Sequence, residues 1–337
     1  MNQSIGETPS LAQPSTAARP ANWRSMTRIN QYQWVWPGTI VLFVLSYFVA
    51  PGTLRSASIF TMLPFAAMLA VVAIGQTLVV QQRGIDMSAA GMFSLGGVLL
   101  SVLYTQGIPI LPAVALTLAV ALLFGIINGL LCVYVNIAPI VTTLATNALM
   151  ISIVRWLSAG TPVEAPPELR VFSVGRVFGL PPSLIFAIVA VLVVAVLTTK
   201  TAFGRRFVAV GVNPAAAQIA GVNVPFYQIS AYAIAAICFA IGGILLAGFI
   251  GSATHSAGND YLLPSVAAVV IGGSSLAGGR GSVVASAVAA LFITQLGQMV
   301  LSMGASAATQ LLVQAGSILV VTGLRNFPKW FRMSPMQ

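Results

Sequence analysis

Charge is the scarcest property of this 337-residue sequence: 6% of its residues are Asp, Glu, Lys or Arg, while 58% are hydrophobic. Soluble domains carry about 25% charged residues. So few charges cannot cover a soluble core of this length, so a lipid bilayer has to be the solvent for most of the chain. Histidine occurs once, at His255, and cysteine twice, at Cys132 and Cys238. Both cysteines lie inside apolar runs, which excludes a disulfide framework and a zinc site and reads as inert thiols packed among helices. The lone histidine falls in a predicted outer loop, so no Ser/His/Asp set can be assembled and an enzyme active site is not expected. A G-x-x-x-x-G-K-[ST] loop is missing too, so the chain is not expected to bind ATP by a P-loop.

Acidic residues are fewer still, 5 against 15 Lys and Arg, for a net charge of +10. The basic residues fall between apolar runs rather than on one patch, and no aromatics interleave with them. That excludes nucleic acid as a partner and points to membrane orientation. The first apolar run begins near Val35, too late for a secretory signal. Residues 1–33 are rich in Ser, Ala, Pro and Gln and carry Arg19, Arg24 and Arg28. They read as a solvated cytoplasmic tail, ending in an interfacial segment at Trp34 and Trp36.

A crossing needs about 20 apolar residues. The candidates are 35–51, 59–81, 85–105, 110–135, 138–158, 183–199, 229–250, 262–279, 282–302 and 307–324. The fold class is therefore all-α, a polytopic membrane protein of about ten transmembrane helices. The third and eighth candidates are interrupted by Gly or polar residues, so one or both are expected to be broken or re-entrant. With both termini cytoplasmic, the inner segments hold Arg83, Lys200, Arg205, Arg206, Arg280, Arg325, Lys329 and Arg332 besides the tail arginines. The outer side keeps Arg55, Arg155, Arg170 and Arg176, diluted by Glu164, Glu168 and Asp260. The Lys/Arg bias favours this orientation, and dropping one span would strand a basic cluster outside. The expected organisation is a tail over 1–33, a membrane domain over 34–324 with a cytoplasmic loop at 200–228, and a cytoplasmic tail over 325–337. The outer loop 159–182 holds prolines that forbid one continuous helix. No strict internal repeat is visible.

Four stretches could carry function. Asp86, in "RGIDMS", is an expensive residue near a membrane and has a role or a partner. It either caps the third span, with Arg83 close by, or lines a solute or proton path. Thr142, Thr143, Thr146 and Asn147 give the helix begun by Pro139 a polar stripe, which serves either helix–helix hydrogen bonding or a translocation path. Gly272, Gly273, Gly278, Gly279 and Gly281 preclude a regular long helix and permit a tight turn or close backbone approach. A phosphate cradle is excluded there, because no strand precedes and no lysine follows. Finally, "FGRRFVAVGVNPAAAQIAGVNV" turns at Gly211 and then spells a short helix, with Asn213 as N-cap, Pro214 at N1 and Gly221 as its stop. Two turns are not stable alone. This helix either enters a cleft of another protein or rests on the membrane interface.

The stretches "GIDMS", "NGLL" with "PIVTTLAT", "FGRRFVAVGVNPAAAQIAG" and "AAVVIGGSSLAGGRGS" together resemble the permease subunit of bacterial sugar ABC importers of the ribose, xylose and arabinose type, which are related to branched-chain amino acid permeases. The resemblance covers about residues 35–325 and implies an inner-membrane permease that pairs with a second copy or a sister permease. Separate cassette ATPase subunits would bind ATP and Mg, this chain binding no cofactor itself, and a periplasmic binding protein would deliver the sugar. It further implies that the short helix, Asn213, Pro214, Ala215, Ala216, Ala217, Gln218, Ile219 and Ala220 up to Gly221, is the coupling helix that docks in the cassette, aided by Arg205 and Arg206. The chain departs from the family pattern at Ala215–Ala217, where a charge is common, and at Arg83, where Gly is common. For a neutral sugar path, uncharged hydrogen-bonding side chains suffice. Gln76, Thr77, Thr142, Thr143 and Asn147 are the candidates. An ion-coupled secondary transporter would need more titratable groups in its spans; a passive channel would need no cassette.

Overall fold

The structure, a computed structural model, describes residues 32–330. It is mostly helical, 78%. The tail arginines Arg19, Arg24 and Arg28, and Arg332, lie outside the described residues. Helix α1 is Val35–Val49, followed by a 3-10 turn at Pro51–Leu54. Then come α2 (Ser56–Gln81), α3 (Ala89–Thr105), α4 (Ile110–Val133) and α5 (Pro139–Ser158). Strand β1 (Val163–Glu164), α6 (Pro167–Val174), α7 (Pro182–Lys200), α8 (Ala202–Val212) and α9 (Pro214–Ile219) follow. The chain continues through α10 (Val224–Ile250), β2 (Ser252–Ala253), α11 (Asn259–Ile271), α12 (Val283–Ser302) and α13 (Ala307–Trp330).

Each expected span has a helix. Six of them, α2, α4, α5, α7, α10 and α12, are long and apolar enough to cross a membrane, and α1, α3, α11 and part of α13 are shorter apolar helices. Several expectations need correcting. The loop 200–228 is largely helical: α8 carries Arg205 and Arg206, the chain turns at Asn213 rather than Gly211, and α10 starts at Val224. Thr201 Oγ1 caps α8 by accepting from Gly204 N, which is why that helix forms so soon after α7. Residues 159–182, expected as a loop, contain α6, begun by Pro167, and β1, which pairs antiparallel with β2. Helix α13 runs to Trp330, past the expected boundary at 324.

Two long helices form the centre. Helix α10 packs on α2, α3 and α4, and α2 also packs on α12, α7 and α11. Helices α2, α10 and α12 are mostly enclosed, whereas α4, α5 and α7 turn most of their apolar surface outward, as lipid-facing helices do. Close crossing is made possible by glycine. A Cβ at Gly96 would stand 2.5 Å from the Ala240 carbonyl oxygen, and one at Gly243 would run into the Phe93 carbonyl. Without a hydrophobic drive between helices in lipid, such close backbone approach supplies much of the association.

Helix α3 begins inside the bundle, and α11 begins just after the buried Gly258. After α2 the chain folds back, so that Asp86 lies against Gln76; with its amide oriented by these partners, Gln76 donates to Asp86 O (3.2 Å) and accepts from Asp86 N (3.3 Å). After α10 the chain folds back similarly, bringing Gly258 onto Ala90 and stacking Tyr261 on Phe93 with ring centroids 4.3 Å apart. The two broken elements thus meet near their N-termini. Gly243→Val is expected to lower the detergent-solubilised Tm, by overpacking worth about 1–3 kcal/mol. Gly38→Ala, where nothing lies within 4 Å of an added Cβ, should leave Tm unchanged. Equal Tm values for the two variants would refute the tight α3–α10 crossing.

Candidate functional site

The loops fall into two groups at opposite ends of the bundle. One end holds residues 82–88, α8, α9 and the glycine-rich loop 272–282, all joined by hydrogen bonds. The other holds β1, α6 and β2, joined by the β1–β2 pair.

At the first end stands a two-helix arm. In α9, Asn213 Oδ1 accepts from Ala216 N (3.1 Å). Gly221, at φ 77°, closes the helix with Gly221 N donating to Gln218 O and Val222 N donating to Ala217 O. This is a Schellman closure, which satisfies the last carbonyls and needs the left-handed residue that Gly supplies without strain. Only Ala217 of α9 is buried, in an apolar cluster with Leu78, Phe207, Val210 and Tyr227. Ala215, Ala216, Gln218, Ala220 and Gly221 are exposed, and Ile219 is 90% exposed. An isoleucine held out on a small, rigid, capped helix is an apolar knob without a cover among the described residues. Arg205 and Arg206 are exposed on α8 beside it, and Pro214 is half-buried.

The arm is fastened to the end of α2. Gln82 Nε2 donates to Phe207 O (2.8 Å), Arg83 Nε to Gly211 O (3.0 Å) and Arg83 Nη2 to Val212 O (2.5 Å). A guanidinium at the C-terminus of α8 satisfies orphan carbonyls and suits the negative end of the helix dipole. The glycine loop closes the junction. Gly279 N donates to Gln81 O and Gln81 Nε2 donates to Gly281 O, each at 2.8 Å. Gly273, Gly278 and Gly279 have φ of 88°, 86° and 70°, the left-handed region glycine tolerates. Gly272 ends α11 with its N–H on Ala268 O.

Asp86 is fully buried and acts at the start of α3: its Oδ1 accepts from Ser88 N (2.8 Å) and Ser88 Oγ (2.5 Å). Asn128 Nδ2 donates to the same Ser88 hydroxyl (3.1 Å). From α5, Thr143 Oγ1 accepts from Met87 N (2.9 Å) and Asn147 Oδ1 from Gly91 N (2.7 Å). Thr77 Oγ1 donates to Ser286 Oγ on α12 (2.8 Å), and Thr142 is buried. The polar stripe on α5 thus caps a neighbouring helix.

A cavity of about 900 Å³ lies at the opposite end, between α2, α10, α11, α12 and α13. None of Gln76, Thr77, Thr142, Thr143 or Asn147 lines it. Its polar lining includes Thr61, Asp260, Thr294, Gln298, Gln310 and Gln314, and Phe65 and Tyr261 offer aromatic faces. Gln298 Nε2 donates to Ser58 O, while its Oε1 has no partner. Gly297 makes room for the amides of Gln310 and Gln314, the former 2.6 Å from where a Cβ would stand. These residues were absent from the sequence-based candidates. The available signal was a set of glutamines inside apolar runs, two of them four apart on one helix face.

A multi-pass helical bundle with a polar cavity at one end and a braced, protruding arm at the other is built as a membrane permease. The chain belongs to the family of branched-chain amino acid transport system permease components, which matches residues 58–322. It is similar to the ribose import permease protein RbsC of Bacillus subtilis, 32% identical over 286 residues, 84% of this chain and 89% of that one. The autoinducer 2 import system permease protein LsrC of Escherichia coli is 35% identical over 264 residues, 77% of each chain. The galactose/methyl galactoside import permease protein MglC of Salmonella typhimurium is 28% identical over 305 residues, 85% of this chain and 91% of that one. No solved structure matches the chain.

If Asp86 serves as a hydrogen-bond acceptor, Asp86→Asn should keep most of the parental Tm in detergent, because an amide oxygen can replace Oδ1. Asp86→Ala and Asn147→Ala should each lower stability by about 1–3 kcal/mol, the effect of unpairing buried donors. Asp86→Asn proving as harmful as Asp86→Ala would show that the charge, and not the acceptor, matters.

Proposed function

We propose that this protein is the permease of a bacterial ABC importer for a sugar or sugar-like solute, with α9 as its coupling helix. The observation that carries the reading is the exposed, doubly capped α9 with Ile219 at its tip. An apolar, preorganised knob fits a cleft on a partner at little ordering cost. The partner is a cassette ATPase, which holds ATP and Mg; this chain binds no cofactor. A periplasmic binding protein delivers the solute, and a second copy or a sister permease completes the membrane unit. The relatives named above, import permeases for ribose, galactose and autoinducer 2, support a polyhydroxylated cargo.

In this reading the ten apolar helices all cross, both termini are cytoplasmic, and the end bearing α8 and α9 faces the cytosol. Arg83, Lys200, Arg205, Arg206 and Arg280 all belong to that end, against Arg55, Arg155, Arg170 and Arg176 at the other, where Glu164, Glu168 and Asp260 also lie, and this Lys/Arg excess supports the orientation. The cavity then lies toward the outer side, where solute arrives. Sugar hydroxyls donate to the carboxylate of Asp260 and exchange hydrogen bonds with Thr61, Thr294, Gln298, Gln310 and Gln314. Phe65 and Tyr261 provide apolar faces for the sugar ring. Cassette closure moves α9, and the bundle rocks between outward and inward access.

The coupling reading is tested with Gln218→Arg/Ile219→Glu. The variant should reach the membrane at parental levels and lose ATP-dependent uptake of radiolabelled ribose or galactose; unchanged uptake would overturn the assignment. Gly297→Leu, which intrudes on Gln310 and Gln314, should cut uptake at least tenfold while the cassette still co-purifies. Full uptake by that variant would place the solute elsewhere.

A further inference from the structure

We infer that Arg83 is the transmission residue of this permease, a positioning residue that ties the coupling arm to the helices around the cavity. The inference rests on the reading of α9 as a coupling helix and goes beyond it, since nothing in that reading says how movement leaves the arm. Helix α9 buries only Ala217, so a push on it is borne by α8 and by the few apolar side chains beneath it. The C-terminus of α8 has two consecutive carbonyls, Gly211 O and Val212 O, both held by the Arg83 guanidinium. A Cβ on Gly211 would collide with Gln81 O, so the ends of α8 and α2 touch backbone to backbone. Gly278 packs on the Arg83 side chain, where any Cβ would collide with Arg83 Cγ, and Gly279 packs on Val212.

Arg83 therefore touches all three parts of the junction: its own α2 end, the end of α8, and the loop joining α11 to α12. The helices it connects are the ones that line the cavity further along, α2 through Thr61 and Phe65, α11 through Asp260 and Tyr261, and α12 through Thr294 and Gln298. Its backbone carries a further mark. Arg83 sits at φ 67°, a left-handed conformation costly for a non-glycine residue, although Gly84 is next to it in the chain. Strain of this kind persists where surrounding contacts over-determine the position. Here the Schellman closure of α2, with Arg83 N donating to Val80 O and Gly84 N to Val79 O, sets the left-handed position, and the two bonds to α8 give a reason for a long side chain to occupy it. Glycine would relieve the backbone and lose both bonds. A side chain with several donors in a fixed fork is suited to gripping two adjacent carbonyls; lysine offers a single ammonium point.

The test reads movement at the cavity directly and needs no knowledge of the solute. In a Cys132→Ser/Cys238→Ala background, Thr294→Cys reports cavity access through a membrane-impermeant maleimide, with the permease–cassette complex in nanodiscs. Trapping the cassette with ATP and vanadate should change the labelling rate by about fivefold or more, the lower end of usual coupling between sites. Arg83→Ala should abolish that change while cassette co-purification and ATP hydrolysis persist, and Arg83→Lys should restore part of it. An undiminished nucleotide-driven change in Arg83→Ala overturns the inference. If Arg83→Ala fails to assemble, Arg83→Lys decides, since a parental response from it would also overturn the role of the two-carbonyl grip. Were Gln218→Arg/Ile219→Glu also to keep the parental response, the coupling role of α9 would fall as well; a response lost there but kept in Arg83→Ala removes only the transmission role.

Discussion

The interior of this bundle contains the N-terminus of α3, which has no bulk water to satisfy its backbone donors, and the buried Gly258 just before α11, whose first residues Asn259 and Asp260 reach the surface. Each unpaired N–H in that setting costs several kcal/mol. The surrounding polar residues are disposed accordingly. Asp86, Thr143 and Asn147 accept from the backbone around the start of α3, and Ser94 Oγ accepts from Gly258 N at the start of α11. Gln76 pairs with both backbone groups of Asp86. These side chains come from α2, α3, α5 and the turn before α3, so the breaks in α3 and α11 hold only when those helices are in register. The polar stripe on α5 is part of what makes a fold with two broken helices possible.

That constraint separates two kinds of polar residue. Those that pair with backbone or with one another, such as Thr77 with Ser286 and Gln295 with Ser46, are enclosed and structural. Asp260, at the cavity, is exposed and in the proposed reading stays available to a solute. A transported solute has to exchange hydrogen bonds at little cost, and only residues of the second kind can do so without dismantling a helix cap.

The positions of the spans were legible because a crossing requires a run of apolar residues, and the weak third and eighth runs became the shorter helices α3 and α11. The caps of α9 were legible because Asn-Pro at one end and Gly at the other act locally. Helix α8 was missed because its glycines and arginines resemble a loop, although Thr201 stands one residue before it as an N-cap. The polar candidates were ambiguous for a different reason. Polarity in an apolar helix marks expense, but sequence cannot say whether the partner is a neighbouring backbone or a passing solute. Thr143 and Gln298 look alike as letters; only the fold places one on Met87 N and the other at a cavity.

Helix α2 joins the two ends. Its 26 residues make it about 39 Å long. One end carries Gln81 and is fixed to α8 and the glycine loop through four hydrogen bonds from residues 81–83 and one received by Gln81 O. The other end borders the cavity and contains Pro64, and α11 likewise carries Pro264 in the cavity wall. A proline inside a helix removes one bond of the ladder and is where bending meets least resistance. The stiff attachment therefore lies at the arm and the compliant points lie beside the cavity. A displacement imposed at the junction would be carried along the intact part of α2 and be taken up where the cavity wall can change shape, an arrangement that rewards rigid fastening at Arg83 and penalises any slack there.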